Sequence, residues 1–589
     1  MCGIAGEISF SGCPSVAVVG QMLDHLAHRG PDATGMYSQD NICLGHRRLK
    51  IIDLSNHANQ PMVDAQLGLT LVFNGCIYNY RHLRQELEQL GYHFFSKSDT
   101  EVILKAYAQW GEQCLDKFNG MFSFAIFERD SGQLFVARDR LGIKPFYYFH
   151  HASGLAFAST LPALLQHPAA DVTIDPVALN HYFSFRAIVG DKTIFKNIKK
   201  LSPGFWMKIS SDGQIKQYCY WKLPEKSSQS NPLSDEQEWS EKLESCLIDS
   251  VKRRLEADVP VGVLLSGGLD SSLIVGLLSQ LGKRDIHTFS IGFEQVAEEE
   301  GNEFRYSDVI AERYSTRHFK IFANHDRLLS SLRSCVAAMS EPMVSHDVIG
   351  FYLLSEKVSQ HVKVVQSGQG ADEVFGGYHW YPPMIDIPLE RAAETYAKAY
   401  FSCDFNEYKK LVQPHLVSHD HAMRYVQDYF QRDRADTAID QTLMLDTEVM
   451  LVDDPVKRLD NMTMAFGIEA RVPFLDHQLV ELAHQMPYEL KVRDGGKYLL
   501  KQVARRLIPH EVIDRPKGYF PVPGLRNMQG AYLALAKQVF CEPAARERGL
   551  FNQSYIDNML AAPEQFTTRF GSRLWQVTLL ELWLQQHLK

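Results

Sequence analysis

Two places in the 589-residue chain put reactive residue types at spacings that could do chemistry. The first is Cys2. Removal of Met1 would leave one residue carrying both a thiol and a free α-amine, with an amine pKa of about 8. Such an amine can take the thiol proton without a distant histidine, which is the arrangement of an N-terminal nucleophile. A small second residue is also commonplace, and Cys2 by itself does not choose between a nucleophile and an inert thiol. The second place is Ser266-Gly267-Gly268-Leu269-Asp270-Ser271-Ser272. Small residues between a strand and a helix let backbone N–H groups approach a phosphate, and the helix N-terminus adds positive potential. The run lacks the G-x-x-x-x-G-K-[ST] spacing, so a Walker-type site is not indicated, and a plain tight turn competes with the phosphate loop.

Both places need elements to hold them. Roughly the first 200 residues are rich in short strand-like runs, at 69–73, 122–127 and 134–137, the last two joined by a polar loop that reads as a hairpin. A helix is expected over 80–90, with Leu83, Leu87 and Leu90 on one face and Gly91 as its stop. A second is expected over 100–110, carrying Val102, Ile103, Ala106 and Trp110. Many strands and few helices predict an α+β domain built on antiparallel sheets. The stretch 222–235 is polar, with two prolines and four serines, and reads as a linker. A helix follows, with Ser234 and Gln237 spaced as a capping box and Trp239, Leu243, Leu247, Val251 and Leu255 as its buried stripe. The pattern then becomes strand, loop, helix. An apolar strand over 259–265 leads into a helix over 271–281, and 286–293 and 362–366 read as further buried strands. That predicts a parallel sheet covered on both faces. From 389 onward the chain reads as mostly helical.

Composition narrows the class. The chain is 45% hydrophobic and 22% charged, which suits a folded protein rather than a disordered one. Its net charge of −9 argues against a surface built for nucleic acid or anionic membrane. Ten cysteines are scattered without a C-x-x-C pair, so free thiols in a reducing cytoplasm are expected rather than a metal knuckle. No apolar run approaches the roughly 18 residues of a membrane helix, and no signal peptide is visible.

Context sharpens both candidates. Met1-Cys2-Gly3-Ile4 is followed by His28-Arg29-Gly30-Pro31-Asp32, His46-Arg47-Arg48-Leu49, Ile52-Asp53, Asn74-Gly75-Cys76-Ile77-Tyr78-Asn79 and Ser98-Asp99-Thr100-Glu101-Val102. In this order they resemble the class II glutamine amidotransferase domain of the asparagine synthetase family. The resemblance implies that Cys2 attacks the side-chain amide of glutamine, while the Asn74 amide and the Gly75 N–H form the oxyanion hole. It implies that Arg48 grips the glutamine carboxylate and Asp99 its ammonium. The SGGLDSS run resembles the pyrophosphate loop of ATP pyrophosphatases, which cleave ATP to AMP and pyrophosphate. Ile291-Gly292-Phe293, Ser367-Gly368-Gln369-Gly370-Ala371-Asp372, Glu469-Ala470-Arg471-Val472-Pro473-Phe474-Leu475-Asp476 and Gly496-Lys497-Tyr498 complete the synthetase pattern. By resemblance, ATP is held by Leu265, Ser266, Gly267, Gly268, Asp270, Ser271, Ile291, Ser367 and Gly368. Asp270 and Asp372 would carry Mg²⁺ on its phosphates, and Lys497 would neutralise departing pyrophosphate.

The implied architecture is an α+β N-terminal nucleophile domain, an antiparallel sheet sandwich between helices, over 2–205. A connecting strand and linker follow over 206–235, then an α/β parallel-sheet ATP-pyrophosphatase domain with a helical C-terminal part over 236–589. The implied reaction is ATP-dependent amidation of a carboxylate through an acyl-AMP, with ammonia from glutamine delivered by an internal tunnel. Partners would be glutamine, ATP and a carboxylate acceptor, with no nucleic acid or membrane, and a homodimer is an admitted assembly.

Two positions depart from the family pattern. Cys76 stands where Glu usually follows Asn-Gly, which removes a partner for the substrate ammonium. Gln369 stands where Glu is proposed to act in acid/base chemistry, so it could orient a substrate but not take up its proton. NGCIYNY, SGQGADEVFGGYHWYP and DDPVKRLDNMTMAFGIEARVPFLDH together resemble the N-acetylglutaminylglutamine amidotransferase branch, whose product is an osmoprotectant dipeptide amide. Asparagine synthetase, acting on aspartate, is the alternative. A scaffold with decayed sites is the alternative of another class.

Overall fold

The computed structural model describes residues 2–226, 235–294, 302–432, 434–515, 525 and 528–588. The first part forms two six-stranded antiparallel sheets. One is centred on β1 (Cys2–Ser9), which pairs with β2 (Ile42–Arg48) on one side and with Gly154–Ala158 on the other. The other is centred on β3 (Leu69–Ile77) and β4 (Gly120–Glu128). Side chains alternate between the faces of a strand. Ile4, Ile8 and Leu44 therefore meet Val72, Ala125 and Phe127 between the sheets. Phe73, Ile77, Phe122 and Phe124 turn outward beneath Tyr80–Gln89 and α1 (Asp99–Trp110). On the opposite side, Met22 and Leu23 of Val16–Asp24 share a core with Ala5. The result is a sheet sandwich between helices. The strands expected at 69–73, 122–127 and 134–137 fall within observed strands, and Gly91 takes the left-handed φ of +93° just past its helix.

The second part opens with α2 (Glu236–Arg253), capped by Asp235, whose side chain accepts from the Gln237 N–H at 3.1 Å. The expected capping residue, Ser234, lies outside the described residues, as does most of the expected linker. What is described of that linker is docked rather than loose. Leu223 is buried, and Lys226 Nζ donates to Asp440 Oδ1 and to the Met486 carbonyl, each at 2.7 Å. Five parallel strands follow: β5 (Val261–Leu264), β6 (His287–Phe293), β7 (Arg317–Ala323), β8 (Val364–Gln366) and β9 (Glu469–Arg471). Their spatial order is β7-β6-β5-β8-β9. The chain steps one way from β5 to β7, then returns to add β8 and β9 on the other side. The crevice beyond the C-terminal ends of β5 and β8 is thus the topological switch point, where open α/β sheets bind ligands. Strands β7 and β9 were not expected, and β9 interrupts a stretch read as helical.

Helix α3 (Leu269–Gln280) follows β5 directly. Later come α4 (Lys457–Met464), α5 (Tyr498–Ala504) and the buried α6 (Arg573–His587). Tyr182 in the first part donates to the Gln576 carbonyl of α6 at 2.7 Å. One apolar core runs through both parts, joining Ala5 and Phe183 to Leu264 and Trp583. Buried charges cross the same boundary: Asp460 of α4 accepts from Arg29 at 3.0 Å and from Lys144 at 3.1 Å. Among the described residues, no helix is long and apolar enough to cross a membrane.

Candidate active sites

The two-residue period of the strands builds the first site. Cys2 shares its face of β1 with Ile4, Arg48 shares its face of β2 with Leu44, and Asn74 and Cys76 share their face of β3 with Val72. The inward rows that make the sandwich core therefore end, at one edge, in polar and reactive groups. Cys2 is opposite Arg48 in the β1–β2 register. The Cys2 N–H donates to Asn74 Oδ1 at 3.0 Å. Asn74 Nδ2 is buried with no hydrogen-bond partner among the described residues. Gly75 is required by close approach, since a Cβ there would lie 2.2 Å from the Met121 carbonyl oxygen.

Cys2, Arg48, Gly75 and Asp99 line one pocket, with Asn74 directly behind Cys2. The Arg48 guanidinium is fixed by the Ser55 carbonyl at 2.7 Å, by Asn59 Oδ1 at 2.8 Å and by the Asp53 carbonyl. Asp99 Oδ2 accepts from the Ile77 N–H at 3.0 Å. Burial pushes the Asp99 carboxyl up to about 6, with the Ile77 bond opposing and the Glu469 charge adding to the rise. Burial also raises the Cys2 thiol, against the charge of the N-terminal amine, a Leu49 backbone hydrogen bond and the Arg48 charge, so Cys2 needs a base to become a thiolate. Cys76 is raised well above its ordinary value, first by burial, and remains a neutral thiol. Two further lining residues, Glu469 and Arg471, come from β9 of the second part. Their motif was visible in the sequence, but nothing local placed it against Cys2.

The second site is a cavity of about 620 Å³ at the switch point. Leu265, Ser266, Gly268, Asp270 and Ser271 line it from the β5–α3 turn, Ile291 from β6, and Ser367, Gly368 and Gln369 from the end of β8. The turn is tied by its own hydroxyls: the Ser266 N–H donates to Ser271 Oγ at 3.2 Å, and the Gly268 N–H to Ser266 Oγ at 3.2 Å. Helix α3 carries no side-chain cap, so its N-terminal dipole faces the cavity without a competing cap. Gly267 is not in the wall. It takes φ +74° and packs on the next helix, where a Cβ would meet the Ser307 nitrogen at 2.7 Å.

Lys497 stands between the two acidic candidates, 2.7 Å from Asp270 Oδ2 and 2.9 Å from Asp372 Oδ1. Burial works against its charge, but the two carboxylates hold its pKa above the ordinary lysine value. Carboxylates that share one ammonium are close enough to share one hard cation, and their all-oxygen donor set fits Mg²⁺. The close approach depends on Gly377, where a Cβ would meet Asp372 Oδ1 at 2.1 Å and Lys497 Cε at 2.4 Å. Tyr378, Asp347 and Arg458 also line the cavity and were not expected. Among the described residues, none of 389–450 lines it. That stretch packs behind it, where Asp446 accepts from Trp380 Nε1 at 2.8 Å and from the Tyr396 hydroxyl at 2.6 Å.

A nucleophile pocket and a phosphate-type cavity on one chain define a two-site amidotransferase. Residues 1–221 match the glutamine amidotransferase domain, and residues 242–585 match asparagine synthase. The glutamine-hydrolysing asparagine synthetase 1 of Bacillus subtilis is 30% identical, over 99% of this chain and 96% of its own. Asparagine synthetase 3 of the same organism is 31% identical, over 88% of this chain and 87% of its own. Asparagine synthetase B of Escherichia coli is 29% identical, over 84% of this chain and 77% of its own. The chain belongs to the asparagine synthase family, and it is a ligase that uses glutamine and ATP.

Proposed function

We propose that the chain transfers ammonia from glutamine to a carboxylate activated as an acyl-AMP, and that the acceptor is the C-terminal carboxylate of N-acetylglutaminylglutamine. The observation that supports the two-step reading is that β9 lines the wall of the first pocket and pairs with β8, the strand that leads into the second cavity.

In the first pocket, the α-amine of Cys2, exposed by loss of Met1, takes the thiol proton. The thiolate attacks the glutamine amide carbon, and charge develops on the amide oxygen, where the Asn74 amide and the Gly75 N–H stabilise it. The amine returns the proton to the leaving ammonia, and water hydrolyses the thioester to glutamate. Arg48 holds the substrate carboxylate and Asp99 its ammonium.

In the second cavity, the turn after β5 and the N-terminus of α3 receive the ATP phosphates. An acceptor carboxylate oxygen attacks the α-phosphorus, pyrophosphate leaves toward Lys497, and ammonia then displaces AMP from the acyl carbon. Asp270 and Asp372 would hold Mg²⁺, which supplies charge neutralisation on the phosphates. Gln369 can orient the acceptor by hydrogen bonds.

The acceptor rests on the sequence branch: Cys76 and Gln369 are two of the residues that set it apart. Aspartate is the second reading, favoured by the names of the relatives. Pyrophosphate release, measured with glutamine, ATP and either acceptor, tests both. Turnover with the acetylated dipeptide and not with aspartate is expected; turnover with aspartate alone overturns the acceptor, and turnover with neither overturns both readings. Cys2→Ala should abolish glutamine use and leave ammonia-dependent amidation.

A further inference from the structure

The glutamine pocket is closed by the other half of the chain. Glu469 and Arg471 on β9 are 1% and 0% exposed, and both line the pocket with Cys2, Arg48 and Asp99. Arg471 Nε donates to Glu469 Oε1 at 2.5 Å, and Arg471 Nη2 lies 3.8 Å from Cys76 Sγ. The guanidinium is also anchored by the Arg254 carbonyl at 3.0 Å and the Glu256 carbonyl at 2.8 Å. The pair is therefore built into the wall.

An amino acid brings one carboxylate and one ammonium into such a pocket. Arg48 offers the first a planar, fixed partner. For the second, Asp99 is one anion, and position 76, which points inward on β3, offers only a neutral thiol. Glu469 is the other carboxylate in the wall. Its field reaches both Cys2 and Asp99, and in each case it opposes ionisation. Glu469 and Asp99 are thus two carboxylates in the wall of one pocket, and a cation bound between them would relieve their mutual repulsion. Burial alone would raise the Glu469 carboxyl, but cationic charge, that of the chain's N-terminal amine first and then of Arg471 and Lys144, holds it down at about 2.

We propose that Glu469, supplied by the synthetase half, binds the substrate ammonium together with Asp99 and so completes the glutamine pocket across the domain boundary. This rests on the glutaminase reading above.

The test compares glutamine with glutaramate, the same chain with its amide and carboxylate but no α-ammonium, on the full-length protein. The readout is the ratio of kcat/KM for the two. Glu469→Gln should lower kcat/KM for glutamine on the order of 10- to 100-fold, the worth of a charged hydrogen bond, chiefly through KM. Glutaramate hydrolysis should change far less, so the ratio collapses. Adding Cys76→Glu to that variant places a carboxylate beside Arg471 in the same wall and should restore much of the preference. A fall of both substrates in parallel, with the ratio unchanged, would mean that Glu469 only supports the fold and would overturn the inference. A ratio lost in Glu469→Gln but not raised by the second substitution supports Glu469 and limits the site to its own geometry. Failure of the unsubstituted protein to hydrolyse glutamine at all would overturn the glutaminase reading itself, a separate result.

Discussion

Replacing Asn74 separates what this side chain does before reaction from what it does during it. Its Oδ1 accepts from the Cys2 nitrogen at 3.0 Å, while its Nδ2 is buried without a partner among the described residues. Asn74→Asp keeps an oxygen for the Cys2 nitrogen and removes the amide hydrogens. Because those hydrogens have no resting partner, their loss breaks no ground-state bond and should leave KM for glutamine within about threefold. Loss of one oxyanion donor costs about 2.7–4 kcal/mol of transition-state stabilisation, or roughly 10²–10³ in kcat. Asn74→Ala removes the donor without adding charge, so it should show the same fall in kcat. It also orphans the Cys2 nitrogen, which costs about 1–3 kcal/mol of stability and should lower the urea midpoint. Glutamate release from glutamine gives kcat and KM, and urea unfolding gives the second quantity. A kcat within tenfold of the parent in both variants, or a loss confined to KM, would refute the assignment of Nδ2 to the developing oxyanion.

Other outcomes follow from the same geometry. Asp99 must be ionised to hold an ammonium, and its carboxyl titrates near 6. The glutamine kcat/KM should therefore fall about tenfold per unit as pH drops below 6, while Asp99→Asn should be low and flat over that range. Because this pKa is raised over its unfolded value, the stability tied to Asp99 is full below about pH 4 and is lost as pH rises through 6, so Asp99→Asn should be relatively more stable at neutral pH. Lys497→Met leaves Asp270 and Asp372 facing each other. It should cost roughly 2–3 kcal/mol in urea unfolding, after discounting for their partial exposure, and should suppress pyrophosphate release. Asp460→Asn strands two buried cations and should cost about 3–5 kcal/mol. Calorimetry of the parent should show one transition, because the core is continuous across both parts; two separated transitions would contradict that.

Sheet alternation and the strand-loop-helix pattern made the frame legible. Val72 and Phe73 sit on opposite faces because strands have period two, and Ser266–Ser272 lies at the switch point because the order of strand addition reverses beside β5. Cys2, Arg48, Gly75 and Asp99 line one pocket, and it was the family resemblance, not their spacing, that grouped them. Other features depend on contacts distant in sequence. Strand β9 is three residues, two of them charged, and its strand character comes only from pairing with β8, so periodicity had nothing to register. Glu469 and Arg471 were invisible as pocket residues for the same reason. Gly267 was expected against phosphate, but its positive φ serves packing on Ser307. Lys497 was expected near pyrophosphate; that it bridges both acidic candidates followed from Gly377 allowing the close approach, which a linear reading cannot measure.

Strand β9 also bears on how such a chain can be divided. The Ser367 N–H, at the lip of the second cavity, donates to the Arg471 carbonyl at 2.9 Å, and the Arg471 side chain reaches the wall beside Cys76. A cut between the two matched segments would strand Glu469 and Arg471 on the wrong fragment, some four hundred positions from the pocket they close, as the separation of Cys76 and Arg471 by 395 residues illustrates. The halves are thus contiguous as sequence but not as working parts. Chimeras joined at the linker from two relatives would bring together pocket walls drawn from different sequences. The whole chain, rather than either half, is the smallest piece that can be exchanged or tuned by itself.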